Sequence, residues 1–110
     1  MGYAFSPPYF LRSRNLLIRT YFEIYLQNKS EYQLLDNALR TLENSLYKNK
    51  AFSEIRIEPL LNLIQILRGL STRVQKGTRK SSIKNWSFKQ LENRKNTVSK
   101  NWLLEKIKIL

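Results

Sequence analysis

The chemistry open to this chain is limited first by the residue types that it lacks. It contains no histidine and no cysteine, which removes the usual general base at neutral pH, the usual thiol nucleophile and the best transition-metal ligands. Acid–base or metal chemistry would depend on carboxylates that converge on one pocket. The eight available are Glu23, Glu31, Asp36, Glu43, Glu54, Glu58, Glu92 and Glu105.

The spacing of the carboxylates and glycines does not indicate catalysis. Glu54 and Glu58 share a helical face, but acids in a first helical turn are favoured by the positive end of the helix dipole. Gly69 and Gly77 are isolated and do not form a glycine-rich phosphate loop. We therefore predict that the protein is not an enzyme and has no catalytic residue, cofactor or metal site.

The basic residues suggest a different chemistry, the binding of anions. The net charge is +12, and residues 67–110 contain twelve Lys or Arg against two Glu, so they carry ten of these charges. Trp86 and Phe88 lie among the basic residues and offer rings on which nucleic-acid bases can stack. The candidate binding residues are Arg73, Lys76, Arg79, Lys80, Lys84, Trp86, Phe88, Lys89, Arg94 and Lys95.

Four interpretations of this basic segment stay open. It could contact nucleic-acid phosphates, an anionic membrane surface or an acidic groove on a partner protein, or it could be a solvated face that keeps the protein soluble. A run of charges is usually a solvated face, but this asymmetry exceeds what solubility requires, so nucleic acid and a partner protein stay open beside it. Membrane contact is the weaker of the binding interpretations.

The elements that position these residues are predicted to be helices. With 42% apolar residues in 110, the chain can form one core, and it shows no sustained alternation of apolar and polar residues. A first helix should begin at Ser6-Pro7-Pro8 and end near Gln27. Its broad apolar face comprises Phe10, Leu17, Tyr21 and Ile24 together with Leu11, Ile18, Phe22 and Tyr25. Helical spacing also indicates core positions for Tyr9, Tyr32 and Tyr47.

The remaining helices complete an all-α fold of four to five antiparallel helices. A capping box at Ser30–Gln33 should start the second helix, close enough to the first to force an antiparallel hairpin. The third helix should run from about Glu54 into the low seventies, or begin near Glu58 with Pro59 in its first turn. Its apolarity predicts cover on two sides, and Asn62, Gln65 and Gly69 form its polar line.

The predicted organisation places a helical core at residues 1–76, a basic linker at 77–86, and basic C-terminal helices packing on the core at 87–110. A second capping box at Ser87–Gln90 should open a short basic helix. A last helix, from about Thr97 to Ile109, should pack on the third.

The first hairpin resembles a tetratricopeptide-type helical repeat. The run Ser13–Glu23, followed by Glu31, Tyr32, Leu35, Leu39 and Leu42, is similar to the C-terminal repeats of large uncharacterised bacterial helical-repeat proteins, as is the closing run Asn101–Lys106. The resemblance covers residues 9–72 and 98–108. It implies TPR-like packing and protein–protein binding.

The chain departs from the repeat pattern at several places. Glu23, Leu35 and Leu42 stand where small residues let repeat helices approach, and Tyr47 stands where a proline closes the unit. A solenoid normally needs three or more units, so one hairpin is interpreted as the terminal piece or cap of a larger α-solenoid.

No signal-peptide pattern and no apolar stretch long enough to span a membrane occur in the sequence, so we predict a cytoplasmic protein. Its predicted function is a non-catalytic helical interaction module that binds a protein partner. The alternative is a small basic nucleic-acid-binding protein.

Overall fold

Five α-helices form the part of the chain that the computed structural model describes, residues 7–49 and 54–110. They are α1 (Pro7–Gln27), α2 (Tyr32–Lys48), α3 (Glu54–Gln75), α4 (Lys80–Asn93) and α5 (Lys100–Lys108). No strand occurs in these residues, and the prediction of an all-α fold of four to five helices is confirmed. The predicted helix-start residue Ser6 lies outside the described residues.

The turn between α1 and α2 is closed by Asn28 rather than by the predicted capping box. The Asn28 Oδ1 atom accepts hydrogen bonds from the Ser30 amide, at 3.2 Å, and from the Ser30 hydroxyl, at 2.7 Å. Residues Lys29–Glu31 form a 3₁₀ turn, and the Gln33 side chain donates to Asn37. The capping-box prediction is wrong, because the Ser30 hydroxyl is hydrogen-bonded to Asn28 instead. The connection is nevertheless as short as predicted, and the two helices are antiparallel.

Helix α3 is the centre of the molecule. It begins at Glu54 and continues through Pro59. The predicted start at about Glu54 is therefore correct, and the alternative start near Glu58 is wrong. Its large apolar side chains are buried, namely Leu60, Leu63, Ile64, Ile66, Leu67 and Leu70. Helices α1 and α2 contact it on one side and α4 on another, so the prediction of cover on two sides is confirmed. Each such buried side chain stabilises the fold by about 1.5–3 kcal/mol.

The end of α3 is a tight glycine turn. Gly77 has a φ of +76°, its amide donates to the Val74 carbonyl at 3.1 Å, and the Thr78 amide donates to the Arg73 carbonyl at 3.0 Å. This pair of bonds defines the Schellman motif, which favours glycine at the left-handed position. Only residues 76–79 therefore separate α3 from α4.

The predicted linker at 77–86 is wrong from Lys80 onward, because α4 already begins there. Ile83, Ser87 and Leu91 recur every four residues and are buried on α4, so one face of this basic segment can pack on α3. The predicted capping box at Ser87–Gln90 is also wrong. Ser87 lies inside α4, and its buried hydroxyl donates to the Ile83 carbonyl at 2.8 Å.

The indole of Trp86 docks α4 on the polar line of α3. Its six-membered ring lies so close to Gly69 that a Cβ atom at that position would stand 2.5 Å from the Cζ2 atom. The Arg73 guanidinium covers the ring, 3.9 Å from its centroid, and donates to the Gly69 carbonyl at 3.1 Å. Gly69, which the sequence pattern places on the polar line of α3, therefore packs against the Trp86 ring.

Asn62, on the same line of α3, anchors the connection between α4 and α5. It accepts a hydrogen bond from Arg94 at 3.0 Å and donates to the Asn96 carbonyl at 2.9 Å. Closer to the start of α3, the Val98 amide donates to the Pro59 carbonyl at 3.2 Å. The polar line of α3 is thus a docking strip for the C-terminal segment.

Helix α5 begins at Lys100, three residues later than predicted, after a turn in which Ser99 has a φ of +58°. Leu103 and Ile107 are fully buried. The sequence predicted packing on α3, whereas the structure places α5 against α4 and, through Trp102, against α1. The Trp102 and Phe22 rings meet edge to face, with centroids 5.8 Å apart.

The contact between Gly69 and Trp86 predicts a sign reversal in a double-mutant cycle. Gly69→Ala should destabilise the protein, because overpacking against the indole costs about 1–3 kcal/mol and exceeds the gain of about 1 kcal/mol from removing a helical glycine. In a Trp86→Leu background the same change should stabilise. Urea unfolding followed by circular dichroism measures both. A stabilising Gly69→Ala with Trp86 present would contradict the close approach.

Candidate interaction site

Four of the ten candidate anion-binding residues are engaged inside the molecule. Arg73 and Trp86 stack on each other, so one face of the indole is covered by the guanidinium. Arg94 bonds Gln90 and Asn62. The Lys84 ammonium donates to the Lys108 carbonyl at 3.3 Å, which joins α4 to the end of α5. These side chains hold the C-terminal segment together.

The other six candidates are exposed but do not form one face. They are Lys76, Arg79, Lys80, Phe88, Lys89 and Lys95. Lys80 and Lys89 both lie on α4, but nine residues at 3.6 per turn place them on opposite sides of the helix, about 180° apart. Lys76 and Arg79 lie in the turn before α4, whereas Lys95 follows its end. The structure therefore does not assemble the predicted residues into a single basic groove.

Trp102 and Lys106 of α5 hold Glu23 of α1. The indole N–H of Trp102 donates to Glu23 Oε2 at 3.0 Å, and the Lys106 ammonium lies 3.5 Å from Glu23 Oε1. The Arg19 guanidinium covers the indole, 5.1 Å from its centroid. The hydrogen bond from Trp102, assisted by the positive charge of Lys106, lowers the pKa of Glu23 below its ordinary 4.5. The carboxylate fastens the last helix to the first.

The two acidic residues of α2 are paired on the side that faces α3. Asp36 accepts from Arg40 at 2.7 Å within the helix, and Glu43 accepts from Arg68 of α3 at 2.8 Å. Glu23 is the only acidic residue of α1. Every carboxylate of these two helices is therefore bound to a partner within the fold.

The buried Tyr25 hydroxyl is structural. It donates to Gln75 Oε1 at 2.9 Å and lies 3.3 Å from the Ser71 carbonyl, so it ties α1 to α3. Burial raises the pKa of Tyr25 to about 12, which keeps the phenol protonated at neutral pH. A group so placed holds helices together and does not exchange protons with a ligand.

An apolar groove of about 420 Å³ runs between α1 and α2 on the face turned away from α3. Leu17 and Leu34 stand on its two walls and are 39% and 43% exposed. Ile18 and Leu42 reach its floor from the core. The lining residues are Phe10, Arg14, Leu17, Ile18, Tyr21, Leu34, Asn37, Ala38, Thr41, Leu42 and Ser45. We call this feature the hairpin groove.

Four residues of α1 and α2 that the sequence assigned to the core are exposed in the structure. Leu17 and Ile24 were assigned to the buried face of α1, but both are 39% exposed. Tyr9 and Tyr47, also expected in the core, are 69% and 62% exposed. The available signal was the width of the apolar face of α1, which is broader than packing on one side requires.

One end of the hairpin groove is cationic. Arg14 lines it, with its guanidinium 4.9 Å from the centroid of the Phe10 ring. Lys48 follows the lining residue Ser45 by three positions on α2, so it lies on the same helical face. Because α1 and α2 are antiparallel, the start of one and the end of the other meet at this end. The rest of the polar lining is neutral: Asn37, Thr41 and Ser45.

Comparison with known proteins does not assign the chain to a family. No protein-family model, curated protein or solved structure matches it. Within residues 7–49 and 54–110, no three acidic side chains lie close enough to share a metal ion. None of the described helices is both long and apolar enough to cross a bilayer. We therefore infer function from the geometry of the chain itself.

The lowered pKa of Glu23 predicts a pH-dependent contribution to stability. A carboxyl whose pKa is lower in the folded state stabilises the protein above its unfolded value of 4.5, and this stabilisation is lost as the pH falls through the lower folded value. Wild type should be more stable than Glu23→Gln at pH 7, by less than about 1 kcal/mol since the pair is solvent-screened. The difference should vanish near pH 2.

Urea unfolding of both proteins across this pH range makes the comparison, since other carboxyls titrate alike in the two. Glu105→Gln, which removes an exposed carboxylate from α5, is the control and should show a smaller difference. A wild-type advantage that grows as the pH falls below 4.5 would contradict the assignment.

Proposed function

We propose that this chain is a non-catalytic helical interaction module, whose hairpin groove binds a helical segment of a partner protein. The observation that carries the proposal is the groove itself, an apolar cleft with Leu17 and Leu34 more than a third exposed on its walls. Full burial of an exposed leucine gains about 1.5–3 kcal/mol, and covering the exposed part of these two side chains would gain less than half of that each. The groove is therefore a surface on which association is favourable.

The shape of the groove favours a helix as the occupant. Its walls are two antiparallel helices, and a third helix packs into such a cleft by placing its side-chain ridges between those of the walls. Amphipathic helices use apolar anchors at positions i, i+3, i+4 and i+7 for this purpose. The wall residues Leu17 and Tyr21 on α1 follow the same four-residue spacing.

The resemblance to tetratricopeptide-type repeats supports the same proposal. Repeat units bury their faces against neighbouring helical units, and the hairpin groove is the face of the α1–α2 unit that α3 leaves uncovered. A terminal unit of a larger α-solenoid would present such a face to the next unit. In either arrangement the occupant is a helix.

The absence of His and Cys from the sequence supports a non-catalytic role. The carboxylates of α1 and α2 that could act as acids or bases are engaged by Arg, Lys or Trp partners within the fold. Their charges stabilise helix packing. The module acts by binding.

Nucleic-acid binding is the second candidate function, and one observation favours it. Lys76, Arg79, Lys80, Lys89 and Lys95 are exposed, and Phe88, 38% exposed, lies next to Lys89 in the chain. Exposed cations of this number can release counterions from a nucleic acid. Trp86, covered on one face by Arg73, contributes less to stacking than its sequence position suggests.

The groove proposal predicts binding of a fluorescein-labelled helical peptide with leucines at i, i+3, i+4 and i+7 and uncharged glutamines elsewhere. Fluorescence anisotropy should rise with protein concentration. Leu17→Glu combined with Leu34→Glu should abolish the rise, because the anchors would meet carboxylates instead of apolar walls. Both positions are partly exposed, so circular dichroism should report an intact fold.

Leu16→Glu is the matched control, since Leu16 is 50% exposed on the same helix but does not line the groove. It should leave peptide binding unchanged. Equal losses in the control and the groove variants, or no binding by the wild type, would overturn the proposal.

The nucleic-acid candidate makes a separate prediction. Mixed-sequence single- and double-stranded nucleic acid should bind tightly at low salt and much more weakly at high salt. Joint replacement of the exposed residues Lys76, Arg79 and Lys80 by Ala should remove most of this affinity while the fold is kept. Absence of binding at low salt would exclude the candidate.

A further inference from the structure

We infer that the helix bound in the hairpin groove is acidic at one end, and that its carboxylates lie beside Arg14 and Lys48. The inference rests on the proposed function and names the chemistry of the partner. It follows from the distribution of charge around the groove, which is uneven along its length.

The cationic end is defined by two side chains from different helices. Arg14 is near the start of α1 and Lys48 is the last residue of α2, so the antiparallel hairpin brings them to the same end. Both are exposed. In the described part of the chain, neither has a carboxylate within salt-bridge distance. Their charges are available to a ligand.

None of the other cations of α1 and α2 lines the groove. Arg40 is paired with Asp36, and Arg19 covers the Trp102 ring. Arg12 lies at a separate cleft between α1 and the start of α3, with Pro59 and Val98. Arg14 lines the groove, and Lys48 lies about one helical turn beyond its lining residue Ser45.

No carboxylate lines the groove to balance these two charges. Glu23, Asp36 and Glu43, the acidic residues of α1 and α2, are turned toward α5 or α3 and engaged there. A helix with acidic residues beyond its apolar anchors would supply the missing negative charge. A basic helix would meet repulsion at the same point.

The net charge of the whole molecule also favours an acidic partner. A net charge of +12 attracts an acidic segment over long range and raises its association rate, and this attraction weakens as salt is added. A second copy of the chain is a poor occupant, because it carries the same net charge and its own groove offers no carboxylate to Arg14 or Lys48.

The test uses three labelled peptides with identical leucine anchors and, at one end, three Glu, three Gln or three Lys. Full-length protein should bind the Glu peptide most tightly, then the Gln peptide, then the Lys peptide. Arg14→Glu with Lys48→Glu should weaken the Glu peptide at least about tenfold, as expected for two reversed contacts, and strengthen the Lys peptide. The preference should shrink at high salt.

The matched control is Lys89→Glu with Lys95→Glu, which changes the net charge equally at exposed positions outside the groove. It should alter Glu-peptide binding far less than the groove pair does. Equal effects of the two pairs would overturn the inference, because attraction would then depend on net charge alone.

Three further outcomes also overturn it, and they show whether the proposed function stands without it. Equal binding of the Glu and Gln peptides, lost in Leu17→Glu with Leu34→Glu, would leave the groove as a helix site without charge selection. A dimer in sedimentation velocity that Leu34→Glu dissociates would assign the groove to a second copy. Failure of all three peptides to bind a monomer would overturn the inference and the proposed function together.

Discussion

The fold depends on the need to cover α3 on more than one side. Leu63, Ile64, Ile66, Leu67 and Leu70 are buried around much of its circumference, so no single neighbour can shield them. The α1–α2 hairpin covers one side, and α4 with the segment that follows it covers another. A short basic helix such as α4, with only a narrow apolar stripe, is stable because it completes this cover.

The need to cover α3 also determines which charged side chains are engaged within the fold. The sequence predicts anion binding by Arg73, Arg94 and Lys84, but in the structure they close the contacts of α4 with α3 and α5. Arg68 and Lys106 engage acidic residues of the hairpin. The carboxylates of α1 and α2 bind partners on the sides that face α3 and α5. The hairpin groove therefore contains no carboxylate, and one of its ends is cationic. The interaction surface that we propose is therefore a consequence of how the core is closed.

The parts of this structure that could be predicted are those set by local spacing. The bounds of α1, the antiparallel hairpin and the apolar α3 follow from periodicity and from a short connection. The first half of α4 was predicted as linker, because the buried positions Ile83, Ser87 and Leu91 include a serine and because Trp86 and Gly69 pack together only in the folded chain. The hairpin groove was missed because Leu17 and Tyr21 have the spacing of core residues, and only the tertiary arrangement shows that none of the described helices covers them. The family resemblance and the function stay predictions that the structure itself does not test.

The central claim is that the hairpin groove, and not the basic C-terminal segment, is the surface that meets a partner. Backbone amide chemical shifts of ¹⁵N-labelled protein, followed while the acid-ended peptide is added, test it residue by residue. The account predicts that the largest changes occur at Arg14, Leu17, Tyr21, Leu34, Thr41 and Lys48, with little change across α4. Changes concentrated between Lys76 and Lys95, with the hairpin signals unmoved, would contradict it.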